Sequence, residues 1–188
     1  AEAGLMSITG EPGGEPQKVG VAVTDLMTGL YATTAILAAL HERARTGRGR
    51  VIDACLFDVQ VAMLANQASN QLVGGTRPTR MGNAHPNIVP YQVFPTQDGH
   101  LVLAIGNDGQ FARFCEAAGH AEVAQDARFA TNPGRVQNRQ ALVPQITEWT
   151  RTRSTADWVA LLEPAAVPCS PILEVAEVME HPQVAARG

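Results

Sequence analysis

From Asp25 to about Arg45 the apolar residues Leu26, Leu30, Ile36, Leu37 and Leu40 recur with many alanines between them, a spacing that predicts a well-buried helix. Thr24 or Asp25 stands where its N-terminal cap belongs, and Arg45-Thr46-Gly47-Arg48-Gly49-Arg50 brings the basic residues and the glycine that end a helix. Val51-Ile52-Asp53-Ala54-Cys55 then reads as a strand, and Leu56 to about Val73 as a second apolar helix. Two helices flanking one strand predict part of a layered α/β domain over residues 1–75.

Residues 74–90 form a long stretch of Gly, Pro and Asn, and a connection of that length points to a functional loop or linker, placed at 76–90. The pattern changes after it. Tyr91-Gln92-Val93-Phe94 and His100-Leu101-Val102-Leu103-Ala104 flank a Gln97-Asp98-Gly99 turn and predict a hairpin. Helices are expected near 108–118, 134–151 and 155–163, an extended segment at Cys169-Ser170-Pro171-Ile172, and a helical turn from Glu174 to Met179. Residues 91–172 therefore read as a small α+β domain.

A hydrophobic content of 45% places the chain among globular proteins, and a net charge of −4 offers no broad attraction for nucleic acid. Cys55, Cys115 and Cys169 are odd in number, far apart and set among apolar residues, which predicts buried thiols in a reducing, cytoplasmic setting. Neither a signal peptide nor an apolar run near the ~20 residues of a membrane span is read from the sequence. The opening Ala1-Glu2-Ala3-Gly4-Leu5-Met6 has no initiator methionine, and the chain is expected to begin within a longer protein.

Metal and nucleophile motifs are scarce. His41, His85, His100, His120 and His181 have no paired spacing and no Cys-x-x-Cys occurs, so no metal is expected; a Gly-x-Ser-x-Gly elbow is also absent. Glu11-Pro12-Gly13-Gly14-Glu15-Pro16 is a turn whose acids and lack of a following Lys-Ser or Lys-Thr argue against a phosphate cradle. Asp25 places a carboxylate on the first turn of a helix. Two roles are open to it: a simple cap, or an ionised group that attacks a thioester or accepts a proton. Gly82-Asn83-Ala84-His85-Pro86-Asn87 reads equally as a loop over a site or as a polar surface turn, with His85 as its candidate. Arg135 and Arg139, four apart, read as a solvated helix face.

Several stretches resemble a known family. Val19-Gly20-Val21-Ala22-Val23-Thr24-Asp25-Leu26-Met27-Thr28-Gly29-Leu30-Tyr31 and Arg45-Thr46-Gly47-Arg48-Gly49 are similar to the family III CoA-transferases, also called the CaiB/BaiF family. So are Arg80-Met81-Gly82-Asn83-Ala84-His85, Gly106-Asn107-Asp108-Gly109-Gln110-Phe111, Arg135-Val136-Gln137-Asn138-Arg139 and Val167-Pro168-Cys169-Ser170-Pro171-Ile172. Within the family the chain looks most like the branch containing succinate-hydroxymethylglutarate CoA-transferase.

The resemblance implies a partial family III fold, made of part of a Rossmann-like large domain without its N-terminal segment, a smaller α+β domain, and a return to the large domain beginning at 173–188. It implies an interlocked homodimer in the full-length protein, and acyl-CoA and small carboxylic acids as partners, with coenzyme A as a substrate and no cofactor. Asp25 matches the catalytic aspartate of the family, which forms a mixed anhydride and then an aspartyl-CoA thioester. Ala84, His85 and Asn87 occupy the position of a glycine-rich loop that covers the site in the oxalate-specific branch, and their departure from that run makes them the expected substrate contacts. A racemase of the same family is the nearest rival, and an inactive dimerisation module the reading from another class. Nucleic-acid binding through Arg45, Arg48 and Arg50 is weak against the net charge.

Overall fold

A computed structural model describes residues 1–188. The chain divides into two compact units, Ala1–Gly82 and Asn83–Gly188, and the division falls within the 76–90 segment.

The first unit contains α1 (Leu5–Ile8), α2 (Val23–Thr46), α3 (Leu56–Ala62) and α4 (Ala65–Leu72). Helix α2 matches the sequence expectation closely in extent, and it stops where expected. Gly47 adopts φ 69° and its N–H closes the last turn on Arg43 O, a left-handed conformation open to glycine because it lacks Cβ. Its start differs: the N-cap is Ala22, and no side chain caps the helix. The second apolar helix is broken into α3 and α4 near Ala65, whose φ of 46° leaves the helical region.

Two further expectations for this unit fail for one physical reason, the shortage of neighbours. Val51–Cys55 forms no strand, because a strand needs a hydrogen-bonded partner and every strand of the sheet lies in the other unit. Helix α2 is not well buried: none of its residues is buried, and Leu26, Leu30 and Leu37 are 62%, 62% and 61% exposed. By length and composition alone α2 is also apolar enough to cross a membrane, contrary to the sequence reading, because its alanine run extends the apolar stretch. The core helix of a water-soluble protein carries the same signature.

The second unit is built on an antiparallel sheet of order β1-β2-β3, with β1 at Tyr91–Pro95, β2 at His100–Ala104 and β3 at Cys169–Pro171. The register pairs Phe94 with Leu101 and Leu103 with Cys169. Around the sheet lie α5 (Asp108–Ala117), a 3-10 turn (Ala121–Gln125), α6 (Asn132–Gln137), α7 (Arg139–Thr150) and α8 (Thr155–Leu162), followed by α9 (Val175–Glu180) and α10 (Pro182–Arg187). The hairpin, α5, α8, β3 and α9 are the expected elements. The helix expected over 134–151 is divided at Asn138, whose ψ of 23° interrupts the helical path.

This unit has a core of its own. Phe94, Leu101 and Leu103 from the sheet meet Phe111 and Phe114 from α5, Leu142 and Ile146 from α7, and Trp158 and Leu162 from α8, all fully buried or nearly so. At roughly 1.5–3 kcal/mol for each large apolar side chain taken from water, these contacts are the main force holding the unit together. Trp158 satisfies its buried indole by donating Nε1–H to Thr150 O at 2.8 Å. The hairpin turn is tied to α8 by Asp98, whose Oδ1 accepts from Thr155 N at 2.8 Å. Cys115 is buried and Cys169 half-buried, but Cys55 is exposed, on a segment before α3 in which only Ile52 is even half-buried. Burial pushes the Cys115 thiol up to about 12.

Candidate functional site

Asp25 is the third residue of α2, in the turn where the helix dipole and free N–H groups favour negative charge. The structure decides against the cap: the carboxylate is exposed and accepts no hydrogen bond, and it forms no ion pair. Its neighbour Thr28 turns its hydroxyl back onto Thr24 O at 2.8 Å, leaving Asp25 alone. Asp25 lines an open depression of about 570 Å³ shared with Thr24, Leu56, Phe57, Gln60 and residues 1–3. That size suits a small organic ligand. An unpartnered carboxylate with free lone pairs, beside space for a reactant, has what a nucleophile or a proton acceptor requires.

The other predicted residues belong to the second unit. Ala84 and His85 are half-buried and Asn87 is exposed, on a loop with no regular structure. The imidazole of His85 stacks on Tyr91, with ring centroids 5.2 Å apart and planes 21° from parallel. Its Nδ1 accepts from Asn87 N at 3.1 Å, so in the neutral ring the proton sits on Nε2. Burial, and then the guanidinium of Arg139, hold its pKa below the usual histidine value. His85 is thus an uncharged ring whose tautomer is set by its own loop.

Beneath the loop lies a polar scaffold that the sequence reading placed in solvent. Arg135 is fully buried, and it donates Nε–H to Val89 O at 2.6 Å, Nη1–H to Phe129 O at 2.9 Å and Nη2–H to Asp108 Oδ1 at 2.8 Å. Its guanidinium lies 4.4 Å from the Phe111 ring centroid. Arg139 is half-buried and donates to His85 O at 2.9 Å and to Pro86 O at 3.0 Å; burial lowers its pKa. Asn132 spans the next stretch, donating to Asn87 O at 2.9 Å and accepting from Val89 N at 3.1 Å. Gly134 lets α6 approach closely, since a Cβ there would lie 2.7 Å from Arg128 O. A signal for this burial was present in the sequence: Arg135, Arg139, Leu142 and Ile146 follow i, i+4, i+7, i+11, the spacing of one helical face, and all four are buried or half-buried.

The structure therefore places Ala84, His85 and Asn87 together on one loop of the second unit, and Asp25 on the first turn of a helix in the first. No three His, Cys, Asp or Glu side chains converge as a metal site would require.

Residues 1–188 match the family described as CoA-transferase family III. The chain is 50% identical over 186 residues to the succinate–glutarate CoA-transferase of Agrobacterium fabrum, covering 99% of this chain and 46% of that protein. It is 43% identical over 188 residues to the succinyl-CoA:glutarate CoA-transferase of Homo sapiens, covering 100% of this chain and 43% of that protein. Among solved structures it resembles a CaiB/BaiF family protein from Brucella suis, with a TM-score of 0.77, 51% identity, and coverage of 100% of this chain and 50% of that one. The chain thus spans about half the length of the curated relatives it matches. A match along its full length, with half its residues identical to one relative, establishes that the chain belongs to CoA-transferase family III.

Proposed function

We propose that this chain supplies the nucleophile of an enzyme that transfers coenzyme A from an acyl-CoA, succinyl-CoA above all, to a small carboxylic acid. The observation that carries the reading is the carboxylate of Asp25, unpartnered on the first turn of α2, a residue that lines an open depression. The names of the relatives give the substrate class, since both act between succinate or succinyl-CoA and glutarate.

The chemistry runs through four exchanges. An Asp25 oxygen attacks the thioester carbonyl; the C–S bond breaks, CoA leaves as thiolate, and a mixed anhydride forms. The thiolate attacks the aspartyl carbonyl, expelling the donor acid as carboxylate and leaving an aspartyl-CoA thioester. The acceptor carboxylate attacks that thioester and releases the thiolate, which attacks the acceptor's acyl carbonyl and frees Asp25. Every step exchanges one oxygen or sulfur nucleophile for another, so no net proton is moved and coenzyme A is substrate, not cofactor. Amide N–H groups at the head of α2 are suited to the developing oxyanions.

Ala84, His85 and Asn87 are proposed as contacts to the acid, with the His85 Nε2–H as a neutral donor to a carboxylate oxygen. In the full-length protein the uncovered α2 is proposed to be buried by protein, within an interlocked homodimer, and residues 173–188 to begin the return to the large domain. The free thiols of Cys115 and Cys169 accord with a reducing, cytoplasmic setting. The test is product formation by the full-length enzyme. Succinyl-CoA and glutarate should give glutaryl-CoA and succinate in equal amounts, and Asp25→Ala should give neither. Exchange of α-protons with solvent in the absence of an acid acceptor, without transfer, would instead identify a racemase.

A further inference from the structure

The loop at 85–90 has no secondary structure of its own, yet its backbone is held at almost every position. His85 N donates to Tyr91 O at 2.9 Å, and Pro90 O accepts from Ile105 N at 3.2 Å. Between these ends the partners are side chains of α6 and α7: Arg139 on the carbonyls of His85 and Pro86, Asn132 on both sides of Ile88, and Arg135 on Val89 O. Asp108 ties the scaffold together, its Oδ1 accepting from Asn132 N at 2.8 Å as well as from Arg135. Of these groups Arg139 alone grips the peptide that carries the His85 ring. It binds two successive carbonyls through one nitrogen, Nη2, so it fixes the direction in which the chain leaves His85. That direction in turn brings Asn87 N onto Nδ1 and holds the ring parallel to Tyr91. Without the anchor the carbonyls of His85 and Pro86 lose their side-chain partner, the segment keeps only its ties at His85 N and Asn87 O, and the aim of the donor at Nε2 loosens.

We propose that Arg139 is a positioning residue for acid recognition: by clamping the carbonyls of His85 and Pro86 it aims the His85 Nε2–H at a carboxylate of the acceptor acid. The inference rests on the CoA-transferase reading and extends it to a residue that touches no substrate. It bears most on the acceptor half of the reaction, because the donor acyl group arrives tethered to coenzyme A, which contributes binding of its own, whereas the free acid is captured by its own contacts alone. Loss of the clamp should therefore weaken capture of the acid while leaving the aspartyl-CoA adduct intact.

The experiment is a double-mutant cycle in the full-length enzyme, with Arg139→Met, His85→Ala and the double variant, measuring KM for glutarate, kcat, and adduct formation from succinyl-CoA alone. Arg139→Met is expected to raise KM for glutarate about tenfold, the effect of losing an interaction worth ~1.4 kcal/mol, with kcat within about twofold and the adduct retained. In the His85→Ala background the same change should cost less than about twofold, since the ring it aims is gone. Arg139→Lys, which keeps a donor, should recover part of the loss; it also stands in for Arg139→Met should the latter fail to unfold cooperatively. Additive losses in the double variant, or a fall in kcat and adduct with KM unchanged, would overturn the positioning role. Absence of the adduct in the unmutated enzyme would instead sink the CoA-transferase reading itself, so the two failures are distinct.

Discussion

The two units of this chain use similar amounts of apolar sequence to opposite effect. In 83–188 most of the large apolar residues ahead of Ile172 converge: Phe94, Leu101, Phe114, Ile146, Trp158 and Leu162 are all at or near zero exposure. In 1–82 only Ala3 and Val59 are buried among the hydrophobics, and the longest helix buries nothing. Helical pattern and burial are therefore separate properties. Pattern belongs to the local sequence, whereas burial needs a partner surface, and α2 has the first without the second.

That contrast can be broken outright by dividing the chain. Residues 83–188 expressed alone should unfold cooperatively in urea, and residues 1–82 alone should show no cooperative transition, as followed by circular dichroism. A sharp transition in 1–82 would mean that its helices hold one another without further cover.

Next in size are core truncations. Trp158→Ala should destabilise the second unit by roughly 3–5 kcal/mol, and Arg135→Met by roughly 2–4 kcal/mol through loss of the bonds to Val89 O, Phe129 O and Asp108. Leu37→Ala, at 61% exposure, should cost no more than about 0.5 kcal/mol in this chain but about 2–5 kcal/mol in the full-length protein, where α2 is proposed to be covered. Equal costs in both settings would refute the cover.

The smallest effects are protonic. The Asp98 carboxyl is held below its ordinary value chiefly by the Thr155 N–H, so its contribution is present above the unfolded-state pKa and is lost as pH falls through the lower folded value. Asp98→Asn should therefore flatten the acid limb of the stability curve of the second unit, seen in urea midpoints between about pH 5 and 2. For His85 the folded pKa is lowered by burial and then by Arg139, so protonation opposes the native loop. Its stabilising share is full above the ordinary histidine value of 6.5 and falls as pH drops through the lower folded value. Its NMR titration should lie below 6.5 and move upward in Arg139→Met; a midpoint at or above 6.5 in the unmutated protein would contradict the environment described here.

How much was legible follows the same division. The hairpin could be read because alternation, a Gln97-Asp98-Gly99 turn and strand partners all lie within fifteen residues, and both strands appear where expected. The stop of α2 at Gly47 was equally local. The strand expected at Val51–Cys55 could not be judged from its own residues, since its existence depends on a neighbour. At the site, the loop bearing His85 was visible from its length and composition, but what holds it was not. Arg135 and Arg139 looked like solvated charges because two arginines at i, i+4 are ambiguous alone. Only their place at the head of the Leu142 and Ile146 stripe marks them as inward-facing, and only the folded chain brings Val89 and His85 to them. Asp25 was located correctly on the first helical turn, yet its most common role in that place, capping, is the one the structure denies it.

An Asp25 that acts as the nucleophile becomes covalently loaded during turnover. Intact-mass measurement of the full-length enzyme incubated with succinyl-CoA alone, beside its Asp25→Ala variant, tests it most directly. An adduct of one CoA per chain is expected, mapped by peptide sequencing to Asp25 and absent from the variant. An adduct that persists in Asp25→Ala, or transfer activity in the unmutated enzyme with no adduct on Asp25, would contradict it.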